Sequence, residues 1–288
     1  MLPEPHETLT IESADGARTG AQVFAASAAN APAILILPAM GTPARCYAPF
    51  GQAMQAQGVH VAVVDLRGIG TSSLRASRKL DFGYRELVEL DCPAAMAAVS
   101  ARFPGSPIWI LGHSLGGHIG ALFAAHQPQD LAGLILIASG SVHHRAYPGP
   151  KGWGFLAFTQ FAVALSSALG HFPGRRVGFG GTEARTLIRD WARCARTGRF
   201  KPAGAGIDYE ARMHEAKLPL LGISFEADGF APHSAAGHLM EKLASARLTH
   251  WKLGRQDTEG LRIDHYSWVK NPQVVAGRMA QWVGAAHG

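Results

Sequence analysis

Ser106–Pro107–Ile108–Trp109–Ile110–Leu111–Gly112–His113–Ser114–Leu115–Gly116–Gly117 starts as an apolar, β-branched and aromatic run and ends abruptly in glycines around a serine. The run predicts a strand, and the helix formers from His118 to His126 predict a helix, so the order is strand, Gly-x-Ser-x-Gly, helix. At such a turn, Gly112 and Gly116 let strand and helix pass closely, and Ser114 is held out at the carboxyl end of a sheet under backbone strain. The helix start leaves the Leu115 N–H free, aimed where it could stabilise an oxyanion. Roughly one chain in five of this composition would carry the five-residue pattern by chance, so its weight comes from its surroundings.

Upstream, residues 33–37 are a continuous apolar run, the pattern of a strand covered on both faces of a parallel sheet, and 60–64 is expected as the next strand. Residues 7–11 and 18–24, separated by Ala14–Asp15–Gly16, predict an antiparallel hairpin. Helices are expected over 47–57 and over 84–102, the latter bent near Pro93. Downstream come a buried strand at 134–138, a strand at 218–225, a helix at 233–243, a strand at 247–253 and a last helix at 272–283. Alternating strands and helices predict a mostly parallel, doubly wound α/β sheet. The alternation breaks from 143 to 210, where two helices, 153–169 and 182–196, flank the Gly- and Arg-rich stretch 170–181. This segment is expected to be a helical cap or lid insertion (143–210) on a core made of 1–142 and 211–288.

The chain has 288 residues, 47% hydrophobic and 17% charged, with a net charge of +6, the composition of an ordinary globular protein. No zinc-finger spacing or RNA-binding signature accompanies the basic residues, which argues against nucleic acid as a partner. Gly68-x-Gly70 lacks the third glycine and the immediate helix of a dinucleotide loop. Three widely spaced cysteines, Cys46, Cys92 and Cys194, argue against a disulfide framework and for a reducing compartment. The first residues show no signal-peptide pattern, and the apolar stretch 153–169 is short and interrupted by Thr159, Gln160, Ser166 and Ser167. A soluble, cytoplasmic protein without a membrane span is expected.

In a doubly wound sheet, functional groups collect on loops at the carboxyl ends of strands. Ser114, Asp228 and His265 each fall on such a loop. A serine hydroxyl needs a base, for which His265 is the candidate; Asp228 would hold its tautomer and stabilise the imidazolium. Glu226, Asp257 and Asp264 compete with Asp228 as the acid. His113 and His118 flank the elbow and are expected to pack or cap locally. His143–His144 lack a third ligand for a metal, and no cofactor is signalled.

The order Ser, Asp, His, the elbow Gly112–His113–Ser114–Leu115–Gly116–Gly117 and the turn Asp65–Leu66–Arg67–Gly68–Ile69–Gly70–Thr71–Ser72 resemble the α/β-hydrolase fold. The nearest likeness is to its serine aminopeptidase-like and monoacylglycerol-lipase-like branches. The resemblance implies a serine hydrolase with a lid after the sixth strand and a second oxyanion donor in the backbone N–H of Met40. There the sequence departs from the family, because Pro38–Ala39–Met40–Gly41 replaces the usual His-Gly-x-Gly. The expected activity is serine-esterase cleavage of carboxylic esters or thioesters through an acyl-enzyme on Ser114. The alternatives are an acyltransferase using the same acyl-enzyme, an aminopeptidase or amidase, and a non-catalytic hydrolase-fold receptor. The expected partner is a small acyl substrate. Ten basic residues against four acids between 143 and 210 raise the expectation that esters bearing a negative group are favoured; a solvated outer face is the alternative.

Overall fold

The computed structural model describes residues 3–127, 129 and 131–287. Its strands are β1 (Glu7–Glu12), β2 (Arg18–Phe24), β3 (Ala33–Leu37), β4 (His60–Val64), β5 (Ile108–His113), β6 (Gly133–Ile137), β7 (His171–Pro173), β8 (Thr182–Ala184), β9 (Pro219–Phe225) and β10 (Arg247–Leu253). Its α-helices are α1 (Ala48–Ala56), α2 (Tyr84–Glu86), α3 (Cys92–Arg102), α4 (Leu115–His126), α5 (Lys151–Leu169), α6 (Gly174–Val177), α7 (Arg185–Thr197), α8 (Tyr209–Glu215), α9 (His233–Met240), α10 (Ser267–Lys270) and α11 (Ala276–His287). Eight strands form one sheet in the order β1-β2-β4-β3-β5-β6-β9-β10. β1–β2 and β2–β4 are antiparallel and every other pair in it is parallel.

Period-two side chains divide the core between the two faces of this sheet. Ala33, Leu35, Leu37, Ile110, Leu134 and Leu136 pack with α3, α4 and α9, while Ile34, Ile36, Leu111, Ile135 and Ile137 pack with α1 and α11. The continuous apolar runs thus have helices on both faces. Full burial of each such side chain contributes roughly 1.5–3 kcal/mol, which fixes the register and so the height at which each strand ends.

Where a bend is expected at Pro93, the helix is irregular just upstream of it. Pro93 has no N–H for the carbonyl four residues back, and Leu87–Asp91 opens into a π-helical turn between α2 and α3. That turn presents Asp91 to Arg67.

Between β6 and β9, residues 143–210 are only partly as expected. The first helix runs from Lys151 to Leu169, but Gly170–Gly181 is more than a connector. It holds β7 and α6, and Thr182–Ala184 is β8 rather than helix, so β7 and β8 make a second, two-stranded sheet. Helix α7 follows from Arg185. Asp208 accepts the N–H groups of Glu210 and Ala211 and so caps α8, which packs on α4. The boundary expected between 210 and 211 falls inside this helix.

Helix α5 is long and apolar enough to cross a bilayer by length and composition, with mean hydropathy 1.3 over its best 18 residues and 22% of that window buried. Of the four polar residues that interrupt it, two point inward, Gln160 is half-buried and Ser167 is exposed. Thr159 and Ser166 are buried and bond back to the carbonyls of Leu156 and Val163, while Trp153 and Phe161 face outward. The three cysteines are unpaired, Cys46 exposed and the other two buried.

Candidate active site

β5 ends at His113 and α4 begins at Leu115, leaving Ser114 alone in the corner with φ 54° and ψ −116°. A non-glycine residue there costs about 1–3 kcal/mol and persists only if its neighbours over-determine it. They do: the Ser114 carbonyl accepts the Gly117 N–H at 2.9 Å and the Ser139 hydroxyl at 2.8 Å. A methyl on Gly116 would stand 1.9 Å from the Leu37 oxygen, and one on Gly112 would stand 2.4 Å from the Gly117 Cα. Only hydrogen fits at either glycine. The start of α4 is therefore pressed onto the end of β3, which brings Leu115 beside the loop that carries Met40.

Asp228 follows β9 and is 2% exposed. Its Oδ1 accepts the N–H groups of Phe230 at 2.8 Å and Ala231 at 2.9 Å; its Oδ2 accepts the His265 Nδ1–H at 2.8 Å. Nδ1 is thereby committed as donor, and Nε2 has no protein partner among the described residues. His265, Ser114, Leu115 and Met40 line one cavity, and Asp228 stands behind the imidazole. Glu226, Asp257 and Asp264 do not reach that imidazole: Asp257 caps the Gly254 N–H and Asp264 accepts the N–H groups of Tyr266 and Ser267. The Met40 N–H takes no protein acceptor among the described residues.

The remaining walls include Phe155, Phe179, Trp191, Phe230, Tyr266 and Val142, around a cavity of about 40 Å³. Phe179 stacks on Trp191 at 5.4 Å, and Phe230 lies 5.2 Å from the His265 ring. No Lys, Arg, Asp or Glu is among the lining residues. The ten basic residues of 143–210 point elsewhere: Arg185 and Arg193 are half-buried and the other eight are exposed. Arg185 pairs with Asp81 at 3.0 Å, and Arg196 reaches the Gln160 side chain. None of the ten lines the cavity, the placement that the solvated outer face requires.

Two histidines do more than local packing. His113 is fully buried; its Nε2–H donates to the His265 carbonyl at 2.8 Å and its Nδ1 accepts the Tyr47 hydroxyl at 2.6 Å. The same hydroxyl accepts the Ala39 N–H at 2.8 Å. Burial first, and then the neighbouring His265, holds the His113 pKa far below the ordinary histidine value, so the ring is neutral as these bonds require. His118 lines the cavity, donates from Nε2 to the Gly140 carbonyl and accepts the Tyr84 hydroxyl at Nδ1; burial pushes its pKa down to about 4. Their position beside the serine was visible in the sequence, but their partners, up to 152 residues away, were not.

Asp65 and Arg67 of the turn Asp65–Ser72 are structural. Asp65 accepts the Ala44 N–H and the Thr71 N–H and hydroxyl, while Arg67 clamps Asp15 and Asp91. His143 lies near both His144 and His238, yet among the described residues no three ligands could hold a metal.

Human monoglyceride lipase is 50% identical over 36 residues, 12% of either chain. The biotin biosynthesis bifunctional protein BioHC of Cellvibrio japonicus (strain Ueda107) is 25% identical over 284 residues, which covers 88% of this chain and 51% of that one. The chain thus spans about half the length of the second of these relatives and a small part of the first. Among solved structures, Est1E from Butyrivibrio proteoclasticus with ferulic acid bound superposes with a TM-score of 0.63 at 14% identity, over 96% of this chain and 99% of that one. The sheet order and these neighbours show the α/β-hydrolase fold. Residues 28–199, more than half of the chain, match the family described as serine aminopeptidase, S33, and the chain belongs to this family of hydrolases.

Proposed function

We propose that the protein is a serine esterase that cleaves carboxylic esters with an uncharged, apolar acyl group, with residues 143–210 as the lid over its site. The observation that carries this reading is the Asp228–His265 pair at 2.8 Å, which leaves the free ring nitrogen on the cavity shared with the strained Ser114. Ser114 Oγ attacks the ester carbonyl while His265 Nε2 takes its proton, and Asp228 stabilises the imidazolium. The Leu115 and Met40 N–H groups receive the oxyanion. Collapse expels the alcohol, protonated by His265, and leaves an acyl-enzyme. A water deprotonated by the same nitrogen then releases the acid.

The apolar wall supports esters over aminoacyl amides. Capture of a free amino terminus calls for a carboxylate in the cavity, and none lines it. A second reading, acyl transfer to an alcohol, is favoured by the aromatic roof of Phe155, Phe179 and Trp191, which would keep water from the acyl-enzyme.

Labelling of the native protein with a fluorophosphonate, followed by peptide mapping, tests the reading. An adduct on Ser114, lost in Ser114→Ala and in His265→Ala, is expected. An unlabelled native protein would refute it.

A further inference from the structure

The loop carrying Met40 has no polar side chain of its own from Pro38 to Gly41, so whatever aims the Met40 N–H acts from outside. On one side is Tyr47, which accepts the Ala39 N–H. On the other is the corner between α6 and β8. Gly41 turns with φ +69°, and a methyl on it would fall 2.2 Å from the Gly181 nitrogen and 2.4 Å from the Gly180 carbonyl carbon. One on Gly180 would meet the Met40 Sδ at 3.3 Å. The two backbones therefore touch with no side chain between them. The amide nearest Gly41 is itself held, because the Gly181 N–H donates to Glu183 Oε1 at 2.7 Å. The Gly181 carbonyl accepts the Arg175 N–H at 3.2 Å.

Glu183 is an expensive residue to keep there. It is 3% exposed, makes no salt bridge among the described residues, and burial pushes its pKa up to about 7 despite the Gly181 N–H and the charge of Arg175. A leucine of similar size would fill the space without that cost. What a leucine could not do is orient the Gly181 amide.

We propose that Glu183 is a positioning residue for the oxyanion loop: by fixing the Gly181 N–H it holds the Gly180–Gly181 corner against Gly41 and so aims the Met40 N–H at the Ser114 cavity. The proposal rests on the acyl-enzyme reading above. The lid then helps to build the oxyanion hole as well as covering it.

The test compares wild type, Glu183→Gln and Glu183→Leu on a neutral p-nitrophenyl ester, with active sites counted by fluorophosphonate titration. Inhibition by a trifluoromethyl ketone, which adds Ser114 to give an oxyanion, is measured beside the matching methyl ketone. Glu183→Leu should lose about 10-fold or more in kcat with KM within about twofold, and lose trifluoromethyl ketone affinity by a like factor while the methyl ketone is unaffected. Glu183→Gln keeps an Oε1 acceptor and should stay within about threefold of wild type. An unchanged kcat in Glu183→Leu, an equal loss of both ketones, or a Gln variant as impaired as the Leu variant would each overturn the proposal while leaving the esterase reading intact. If Glu183→Leu does not fold, Glu183→Ala is subject to the same criteria. A wild type with neither turnover nor a Ser114 adduct would remove both.

Discussion

His113 and His265 are joined by a hydrogen bond of 2.8 Å from the His113 Nε2–H to the His265 carbonyl, across 152 residues of chain. The residue before the candidate nucleophile thus holds the backbone of the candidate base, and through Tyr47 it also reaches Ala39 of the oxyanion loop. One buried imidazole sets the spacing of three loops. His113→Leu removes this brace and leaves the Tyr47 hydroxyl and the His265 carbonyl without their partner, at a cost of about 1–3 kcal/mol. Ester turnover should fall by about 10- to 100-fold in kcat with little change in KM, since small displacements of a base are expensive in rate. Unchanged kcat in a folded variant would show that the bond is ornamental to catalysis.

Two buried groups give stability opposite slopes with pH. His118 has a folded pKa near 4, below the ordinary 6.5, so its contribution is present above 6.5 and is lost as pH falls toward 4. Glu183, raised from 4.5 to about 7, contributes fully below 4.5 and loses its contribution as pH rises through 7. Arg175 is the charged group facing it that opposes the rise. Relative to wild type, Glu183→Gln should therefore gain more stability at pH 8 than at pH 5, and His118→Gln should show the reverse trend, each by up to about 3 kcal/mol. Urea unfolding of the three proteins at pH 5, 6.5 and 8 measures the slopes.

Arg67 sits between two carboxylates, with Asp15 at 2.7 Å in the β1–β2 turn and Asp91 at 2.6 Å in the π-helical turn. Its side chain is 3% exposed, and its loss would leave Asp91 and the Ser13 hydroxyl bonded to it without their cation. Arg67→Ala should destabilise the fold by roughly 3–5 kcal/mol. Because Arg67 lines no part of the cavity, kcat/KM per folded molecule should hold. A drop in kcat/KM without a change in unfolding midpoint would contradict the structural role.

Those three sites also mark how far the chain could be read unaided. The elbow is a local signal: its glycines, its apolar strand and its helix formers are contiguous, and the structure places Ser114 where they imply. Asp228 and His265 are candidates because strand ends in a doubly wound sheet collect on one rim, which is topology rather than contact, and their side chains meet at 2.8 Å. The Arg67 clamp, the His113 bridge and the Gly41–Gly181 contact are long-range, and no periodicity encodes them. The hairpin β7–β8 was missed because Gly170 to Gly181 has turn composition, and its strands are three residues each, too short for alternation to show. The basic excess of 143–210 is legible in composition, but where those side chains point is not, since composition carries no direction.

Where those side chains point bears on the expected substrate. Ten cations on one segment could draw an anionic ester to the site only if some faced Ser114, and the cavity is walled instead by Phe155, Phe179, Trp191, Phe230 and Tyr266. Carrying a carboxylate into such a wall costs several kcal/mol without a partner, whereas an apolar or aromatic acyl group gains roughly 25 cal/mol per Å² of surface it buries. On matched p-nitrophenyl esters, kcat/KM should be at least about tenfold higher for a neutral phenylalkanoyl or medium-chain acyl group than for the same chain ending in a carboxylate. Aminoacyl p-nitroanilides should be poorer still. Charge reversal on the outer face, as in Arg189→Glu or Arg196→Glu, should leave these ratios unchanged, because both side chains are exposed and neither lines the cavity. A preference for the carboxylate-bearing ester that disappears with either arginine would return the basic segment to the site, and a preference for the anilides would replace the esterase reading with an aminopeptidase one.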